Sequence, residues 1–296
     1  MTQRSAVTLI TLSVLLLQTG CKSSAFVNQR NHYNWQAGAN ENLNRANAVA
    51  QKLFDIQNSN LLWQRAGWWN SANILEALID LNRLTGQNFT LCLKKIYAHH
   101  VSQYRRNFIT HHAFDDNEWW ALTWLKAYDL TGNKRYHNTA IGIFKDMVKR
   151  SWNNVCGGGA RWAVDGEYKN AITNELFMEL AARLALESID TTRKNYYLQW
   201  ALKDWAWLKN SDMINSRLMI NDGLNNNCAN NNGTTWTYNQ GVILGALKDI
   251  YLATGDSTYL KQAKDLAYAS MKNLSNSDGV LTEPGGTSRR RGPQPV

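Results

Sequence analysis

The sequence predicts an all-α fold built from helix pairs. Three observations carry that reading. Four stretches repeat one plan: a polar-aromatic start, an apolar helix, a turn, an aromatic residue and a second helix. Only 3 prolines occur in 296 residues, two of them in the last few positions, so long helices run uninterrupted. No stretch reads convincingly as a strand.

The elements follow in order. A helix from about Asn42 to Ile56 comes first. The first pair starts at Trp68-Trp-Asn-Ser-Ala-Asn73, runs to Leu84, turns at Thr85-Gly86 and continues past Phe89 to about His100. Ile74, Leu75, Leu78, Ile79 and Leu81 recur at helical spacing. The second pair starts at Asp115-Asp-Asn-Glu-Trp-Trp120, turns at Thr131-Gly132 and runs past Tyr136 to Lys149. The third starts at Tyr168-Lys-Asn-Ala-Ile-Thr-Asn-Glu175, reaches Leu186, and continues through Tyr196 to Trp207. The fourth starts at Trp236-Thr-Tyr-Asn-Gln-Gly241, turns at Thr254-Gly255 and runs past Tyr259 to Met271. Glycine after the last apolar turn is a helix stop signal. Nine helices on a period of roughly 40–60 residues predict a solenoid or a closed toroid of hairpins.

Each polar-aromatic motif falls at the start of the first helix of a pair. In a ring of hairpins those starts share one face and their positive dipole ends converge there. One cleft is then expected to collect the Trp68-Trp69, Asp115-Asp116, Asn170/Asn174 and Tyr238-Asn239-Gln240 groups. Capping accounts for one polar residue per helix, and on the dipeptide alone Asp115-Asp116 reads as an acidic first turn. It does not account for all four motifs at one structural position. Adjacent carboxyls beside tryptophans suit a retaining glycosidase, which needs a nucleophile and an acid/base about 5–5.5 Å apart.

The composition agrees. Thirteen tryptophans and 12 tyrosines exceed what a core needs, and rings of this kind stack on sugars. The net charge is +9, but Lys and Arg are scattered, and the densest cluster, Arg289-Arg290-Arg291, lies in a Gly/Pro tail. That distribution argues against a nucleic-acid partner. The six histidines do not fall at the shared cleft positions, and no metal-ligand spacing occurs, so no metal or cofactor is expected.

Arg4 followed by the apolar run Val7 to Leu17 reads as an export signal, too short to anchor in a bilayer. It ends in Leu17-Gln-Thr-Gly-Cys21, which resembles a bacterial lipoprotein signal with Cys21 as the lipidated residue. Gln18 stands where such signals prefer Leu, which leaves an ordinary secretory signal as the other reading. Either way the protein is expected to be exported, with a lipid on Cys21 as its only membrane attachment. Cys92 falls on an apolar helix and reads as buried. Cys156 and Cys228 lie in two Gly/Asn-rich loops and could pair in an oxidising compartment. Cys156-Gly-Gly-Gly159 permits close backbone approach to a ligand or a tight turn. The long loop Asp222 to Gly233 carries six asparagines.

Taken together, Trp68-Trp-Asn-Ser-Ala-Asn73, Phe114-Asp-Asp-Asn-Glu-Trp-Trp-Ala-Leu122, Cys156-Gly-Gly-Gly159, Tyr168 to Leu176 and Trp236-Thr-Tyr-Asn-Gln-Gly-Val242 resemble glycoside hydrolase family 76, the endo-α-1,6-mannanases. The resemblance implies an (α/α)6 toroid over residues 41–283, after a signal at 1–21 and a linker at 22–40. It implies a retaining hydrolase of α-1,6-mannan, with Asp115 as nucleophile and Asp116 as acid/base. Trp68, Trp69, Asn70, Asn73, Trp119, Trp120, Asn170, Asn174, Trp236, Tyr238, Asn239 and Gln240 are the expected substrate contacts. Glu118 is read as helix surface or as support behind the pair. The tail, 284–296, has no apolar period, so the toroid is expected to lack its last helices. Three alternatives accompany this reading: a mannan-binding surface lipoprotein without turnover, a cell-wall transglycosidase, and a lyase or unsaturated glucuronyl hydrolase on the same kind of toroid.

Overall fold

The structure, a computed structural model, describes residues 41–63, 66–103, 108–109 and 112–284. The export signal with Cys21, the linker, and the arginine-rich tail beyond Pro284 lie outside the described residues. Nine α-helices occur among them: α1 (Glu41–Asp55), α2 (Trp68–Thr85), α3 (Thr90–Gln103), α4 (Phe114–Thr131), α5 (Lys134–Asp146), α6 (Ala171–Glu187), α7 (Thr191–Asn210), α8 (Thr237–Thr254) and α9 (Ser257–Leu274). Among these residues β-structure is limited to isolated antiparallel bridges within loops. The predicted helices therefore all form, with ends displaced by a few residues. At its start α6 begins at Ala171 rather than Tyr168, because residues 168–170 bond to neighbouring loops.

Three Thr-Gly turns end helices in the same way. Thr85, Thr131 and Thr254 each donate from Oγ1 to the carbonyl four residues back, on Leu81, Ala127 and Ile250, at 2.7, 2.7 and 2.8 Å. Each hydroxyl also accepts the backbone N–H two residues on, from Gln87, Asn133 and Asp256. Gly86, Gly132 and Gly255 then take φ of 68°, 67° and 76°, a left-handed conformation that glycine reaches without strain. The threonine ties the helix end to the turn, and the glycine reverses the chain.

The chain divides into two compact units. Of the described residues, the first comprises those before Phe108 with Lys126–Asn133, and the second comprises those of Phe108–Leu125 and those from Lys134 onward. In the first unit, Leu75, Leu78 and Ile79 of α2 are buried with Leu93 and Ile96 of α3, and the Phe54 and Phe89 rings meet at 5.4 Å. Cys92 is a free thiol, buried as expected. Lys126 bonds Glu76 and Asp80, each at 2.7 Å. Trp68 packs edge-on against His100.

In the second unit α6 is the central helix. It packs against α5, α7 and α8, and every residue from Ala171 to Met178 is buried. A helix apolar on nearly all sides belongs in an interior. Each fully buried Leu or Phe there contributes about 1.5–3 kcal/mol of transfer free energy. Phe144 and Phe177 stack at 5.5 Å. A second aromatic column runs Phe108, Trp120, Trp124, Tyr136, with neighbouring ring centroids 5.0–5.7 Å apart.

Candidate active site

The second unit brings the starts of α4, α6 and α8 together through two loops, residues 151–170 and 221–233. Ala113 bridges Ala163, and Phe114 N–H donates to the Trp162 carbonyl at 2.8 Å, so the approach to α4 lies along the first loop. Asn170 bridges Gly223, and Ala171 N–H donates to the Asp222 carbonyl at 2.8 Å, which fixes the second loop on the start of α6. A disulfide between Cys156 and Cys228 joins the two loops across 72 residues of chain. The asparagines organise the second loop from within. Asn225 Oδ1 accepts the N–H groups of Asn227 and Ala229, and Asn230 Nδ2 bonds Asn221 and the Asp212 carbonyl.

Asp115 and Asp116 occupy the first turn of α4, both half-buried. Burial raises the Asp115 carboxyl above the ordinary range, and the charge of Asp116 adds to the rise. The Asp116 backbone N–H, at 3.0 Å, and the Trp162 side chain oppose it as hydrogen-bond donors. Burial also raises Asp116, while His112 pulls it back down. Two such carboxyls titrate as a pair and hold one proton between them over an interval of pH. Consecutive helical positions point about 100° apart, so the two can address different atoms of one ligand.

Four groups around the pair were not anticipated as site residues. Trp162 is 37% exposed and lies edge-on to His112 and Tyr168. His112 lies near enough to act on Asp116, although, as expected, it falls outside the four helix-start motifs. Tyr168 donates its hydroxyl to Asp222 Oδ2 and accepts from Asn231 Nδ2 at 3.1 Å. Asp222 Oδ1 accepts the Trp236 indole N–H at 2.9 Å. Trp236 in turn stacks on Tyr238 at 6.1 Å. Burial, followed by the charges of Asp222, Asp115, Glu283 and Glu175, raises the Tyr238 phenol and keeps it protonated. Tyr238 thus links the start of α8 electrostatically to the carboxyl pair.

Other anticipated contacts have different surroundings. Trp120 is 0% exposed in its aromatic column and cannot stack on a sugar, whereas the adjacent Trp119 is half-buried. Asn174 grips the Ala160 backbone from both sides, accepting its N–H at 2.6 Å and donating to its carbonyl at 3.0 Å. Gln240 does the same to Ile220, at 2.9 Å in each direction. Both amides are struts for loops, not free contacts. Asn170 caps α6 by accepting Thr173 N–H. Asn239 is fully buried, with neither amide atom hydrogen-bonded among the described residues. Trp68, Trp69, Asn70 and Asn73 start α2 in the first unit, all half-buried. The glycine run accommodates a protein ring: a Cβ on Gly159 would lie 2.4 Å from Trp207, whose indole N–H bonds the Cys156 carbonyl.

Glu118 is not on the helix surface. It is 0% exposed, as are Glu175 on α6 and Asp204 on α7, and their carboxylate oxygens have no hydrogen-bond partner among the described residues. Burial raises all three well above the carboxylate range. The charges of Asp115, Asp204 and Asp146 add to the effect at Glu118, and those of Asp204 and Glu179 at Glu175. Lys169 and Lys203 oppose it at Asp204.

Comparison with known proteins places these features in a family. The model for "Glycosyl hydrolase family 76" matches residues 29–291. Mannan endo-1,6-alpha-mannosidase DFG5 of Candida albicans is 26% identical over 226 residues, 69% of this chain and 49% of that protein. The chain spans about half the length of the curated relatives it matches first. Among solved structures, the Lin0763 protein of Listeria innocua aligns with TM-score 0.69 and 26% identity over 81% of this chain and 73% of the other. The GH76A α-1,6-mannanase of Salegentibacter sp. HEL1_6 aligns with TM-score 0.71 and 24% identity over 81% and 73%. That structure is an inactive variant, with two consecutive aspartates changed to alanine, in complex with α-1,6-mannotetrose. These likenesses establish the α/α hairpin fold.

Proposed function

This chain belongs to glycosyl hydrolase family 76, and on that premise we propose that it is a retaining endo-hydrolase of α-1,6-linked mannose chains. One observation carries the proposal. Two consecutive carboxyls stand half-open on the first turn of α4, among Trp162, Tyr168, Trp236 and Tyr238. The Salegentibacter mannanase supports the same reading, since its inactive variant lacks two consecutive aspartates.

Asp115 is the nucleophile and Asp116 the acid/base. In the first step an Asp115 carboxylate oxygen forms a bond to the anomeric carbon of a mannosyl unit. The bond from that carbon to the leaving O6 breaks, and O6 takes the proton of Asp116. In the second step Asp116, now a carboxylate, takes a proton from water. The water oxygen bonds to the anomeric carbon and the Asp115 ester breaks, regenerating both groups. Raised, shared protonation of the pair suits this alternation. Trp162, Trp236 and Tyr238 are the rings placed to stack on sugars. Trp119, half-buried, is a further candidate for sugar contact. Export through the segment ending at Cys21 belongs to the same proposal, since mannan is an extracellular polymer.

The test is incubation of the chain with unbranched α-1,6-mannan and separation of the products. Short α-1,6-manno-oligosaccharides are expected from the wild type. Asp115→Asn is expected to slow their release by about 10³-fold or more while oligosaccharide binding persists. Binding without products from wild type would favour the mannan-binding alternative. Chains longer than the starting material would favour transglycosylation.

A further inference from the structure

Four part-exposed rings near the carboxyl pair come from two places in the chain. Trp162 and Tyr168 belong to the loop before α6, Trp236 stands immediately ahead of α8, and Tyr238 lies in its first turn. Within each place the rings touch: Trp162 lies edge-on to Tyr168 at 6.5 Å, and Trp236 stacks on Tyr238 at 6.1 Å. Asp222 joins the two pairs. Its Oδ2 accepts the Tyr168 hydroxyl, and its Oδ1 accepts the Trp236 indole N–H at 2.9 Å. The line Trp162, Tyr168, Asp222, Trp236, Tyr238 is therefore continuous, with one carboxyl in the middle.

The bonding at that join demands an acceptor at both ends. An indole N–H can only donate. The Tyr168 hydroxyl already accepts from Asn231 Nδ2 at 3.1 Å, so its single proton goes to Asp222. A carboxylate meets both donors, whereas an amide has one acceptor oxygen and would turn an NH2 group towards the other ring. The carboxyl is also fixed from behind. The Asp222 carbonyl accepts Ala171 N–H at 2.8 Å, and Leu224 N–H donates to the Lys169 carbonyl at 2.9 Å, which ties the residue to the start of α6. Asn231 is set by its own Oδ1, which accepts Gly233 N–H at 2.7 Å. Two glycines leave room for the approach: a Cβ on Gly223 would lie 2.5 Å from the Tyr168 hydroxyl oxygen, and one on Gly233 would lie 2.9 Å from the Asp222 Cβ.

We propose that Asp222 is the positioning residue of this aromatic wall: by accepting from Tyr168 and Trp236 together it fixes both ring pairs, and through them sets the affinity of the site for a sugar chain. This rests on the hydrolytic reading above. Asp222 acts through the rings and leaves bond cleavage to the carboxyl pair. Rings already held in place need no ordering when substrate arrives, and each ring left loose weakens binding about two- to tenfold.

The experiment has three readouts on the full chain. The first is the indole N–H resonance of Trp236 by NMR, assigned by its loss in Trp236→Phe. In Asp222→Ala it is expected to move upfield and to exchange faster with solvent. An unchanged resonance in that variant overturns the proposal, whatever the activity. The second is kinetics on α-1,6-mannan. Asp222→Asn, which keeps one of the two bonds, should raise KM about two- to tenfold, Asp222→Ala should raise it further, and kcat should fall much less in both. A loss of kcat at constant KM overturns the proposal. The third readout separates action through the rings from direct contact with sugar. In a background carrying Tyr168→Phe and Trp236→Phe neither ring can bond the carboxyl, so Asp222→Asn should add almost nothing to KM. The same KM penalty in both backgrounds would make Asp222 a sugar ligand and overturn the proposal. Should Asp222→Ala fold poorly, Asp222→Asn in the two backgrounds decides alone. A wild type that cleaves no mannan would refute the hydrolytic reading. Affinity for α-1,6-mannotetraose then replaces KM in the same comparison, and a wild type that does not bind it overturns the proposal as well.

Discussion

Two sets of carboxyls in the second unit have opposite surroundings. Asp115 and Asp116 stand half-open with donors, an imidazole and aromatic rings about them. Glu118, one turn further along α4, joins Glu175 and Asp204 in the interior, where none has a hydrogen-bond partner among the described residues. Both sets are raised by burial, yet only the first can meet a substrate. A raised carboxyl therefore identifies chemistry only when solvent and donors also reach it. Burial favours the neutral form throughout the interior set.

The largest effect that sharpens this contrast belongs to the outer set. Asp116→Asn should lower turnover of mannan about 10²–10⁴-fold, the contribution of a positioned acid. On a substrate with an activated aryl leaving group the first step should recover, because that group needs no proton. Equal losses on both substrates would remove Asp116 from the acid role. The next effect concerns the loops that leave the outer set open. Replacing Cys156 and Cys228 together by serine releases a closure of 72 residues and should cost about 4 kcal/mol in the chain-entropy treatment, read as a lower melting midpoint that matches wild type under reductant. A midpoint unchanged by either treatment would show that the loops are held by their backbone bridges alone.

The smallest effect tests the inner set. A carboxyl whose folded pKa lies above its unfolded value stabilises the fold fully below the unfolded pKa, and that stability is lost as pH rises towards the folded one. Burial raises Glu118, Glu175 and Asp204 in this sense. Melting temperature should therefore fall from weakly acidic towards alkaline pH. Glu118→Gln or Asp204→Asn should flatten that slope and raise the midpoint by a few degrees at alkaline pH, with little change in acid. A slope identical to wild type would mean these groups are not neutral in the fold.

Much of the hairpin plan was legible in the sequence because helix ends are local. The apolar spacing and the glycine after it both act within one turn, although the threonine's part in Thr85-Gly86, Thr131-Gly132 and Thr254-Gly255 emerged only from its two hydrogen bonds. The adjacent aspartates were legible for the same reason as a pair on the first turn of a helix, where they stand half-buried. Trp120 was not, but its spacing of four from Trp124 placed it on the packed face, a clue that adjacency to Trp119 obscured. Trp162, Tyr168 and Asp222 could not be read from periodicity, since they lie outside the helices and owe their positions to bonds with residues far along the chain. Asn174 and Gln240 had the composition of sugar ligands, yet each meets a backbone segment that no local pattern places beside it.

The most direct measurement is the site of the covalent intermediate. Asp116→Asn should accept a mannobiosyl group from an activated aryl α-1,6-mannobioside and fail to release it, because the base for the second step is absent. Acid quenching and peptide mass mapping should then find one mannobiosyl unit esterified to Asp115. A sugar on any other residue, or rapid release of products of inverted configuration with no adduct, would contradict the account.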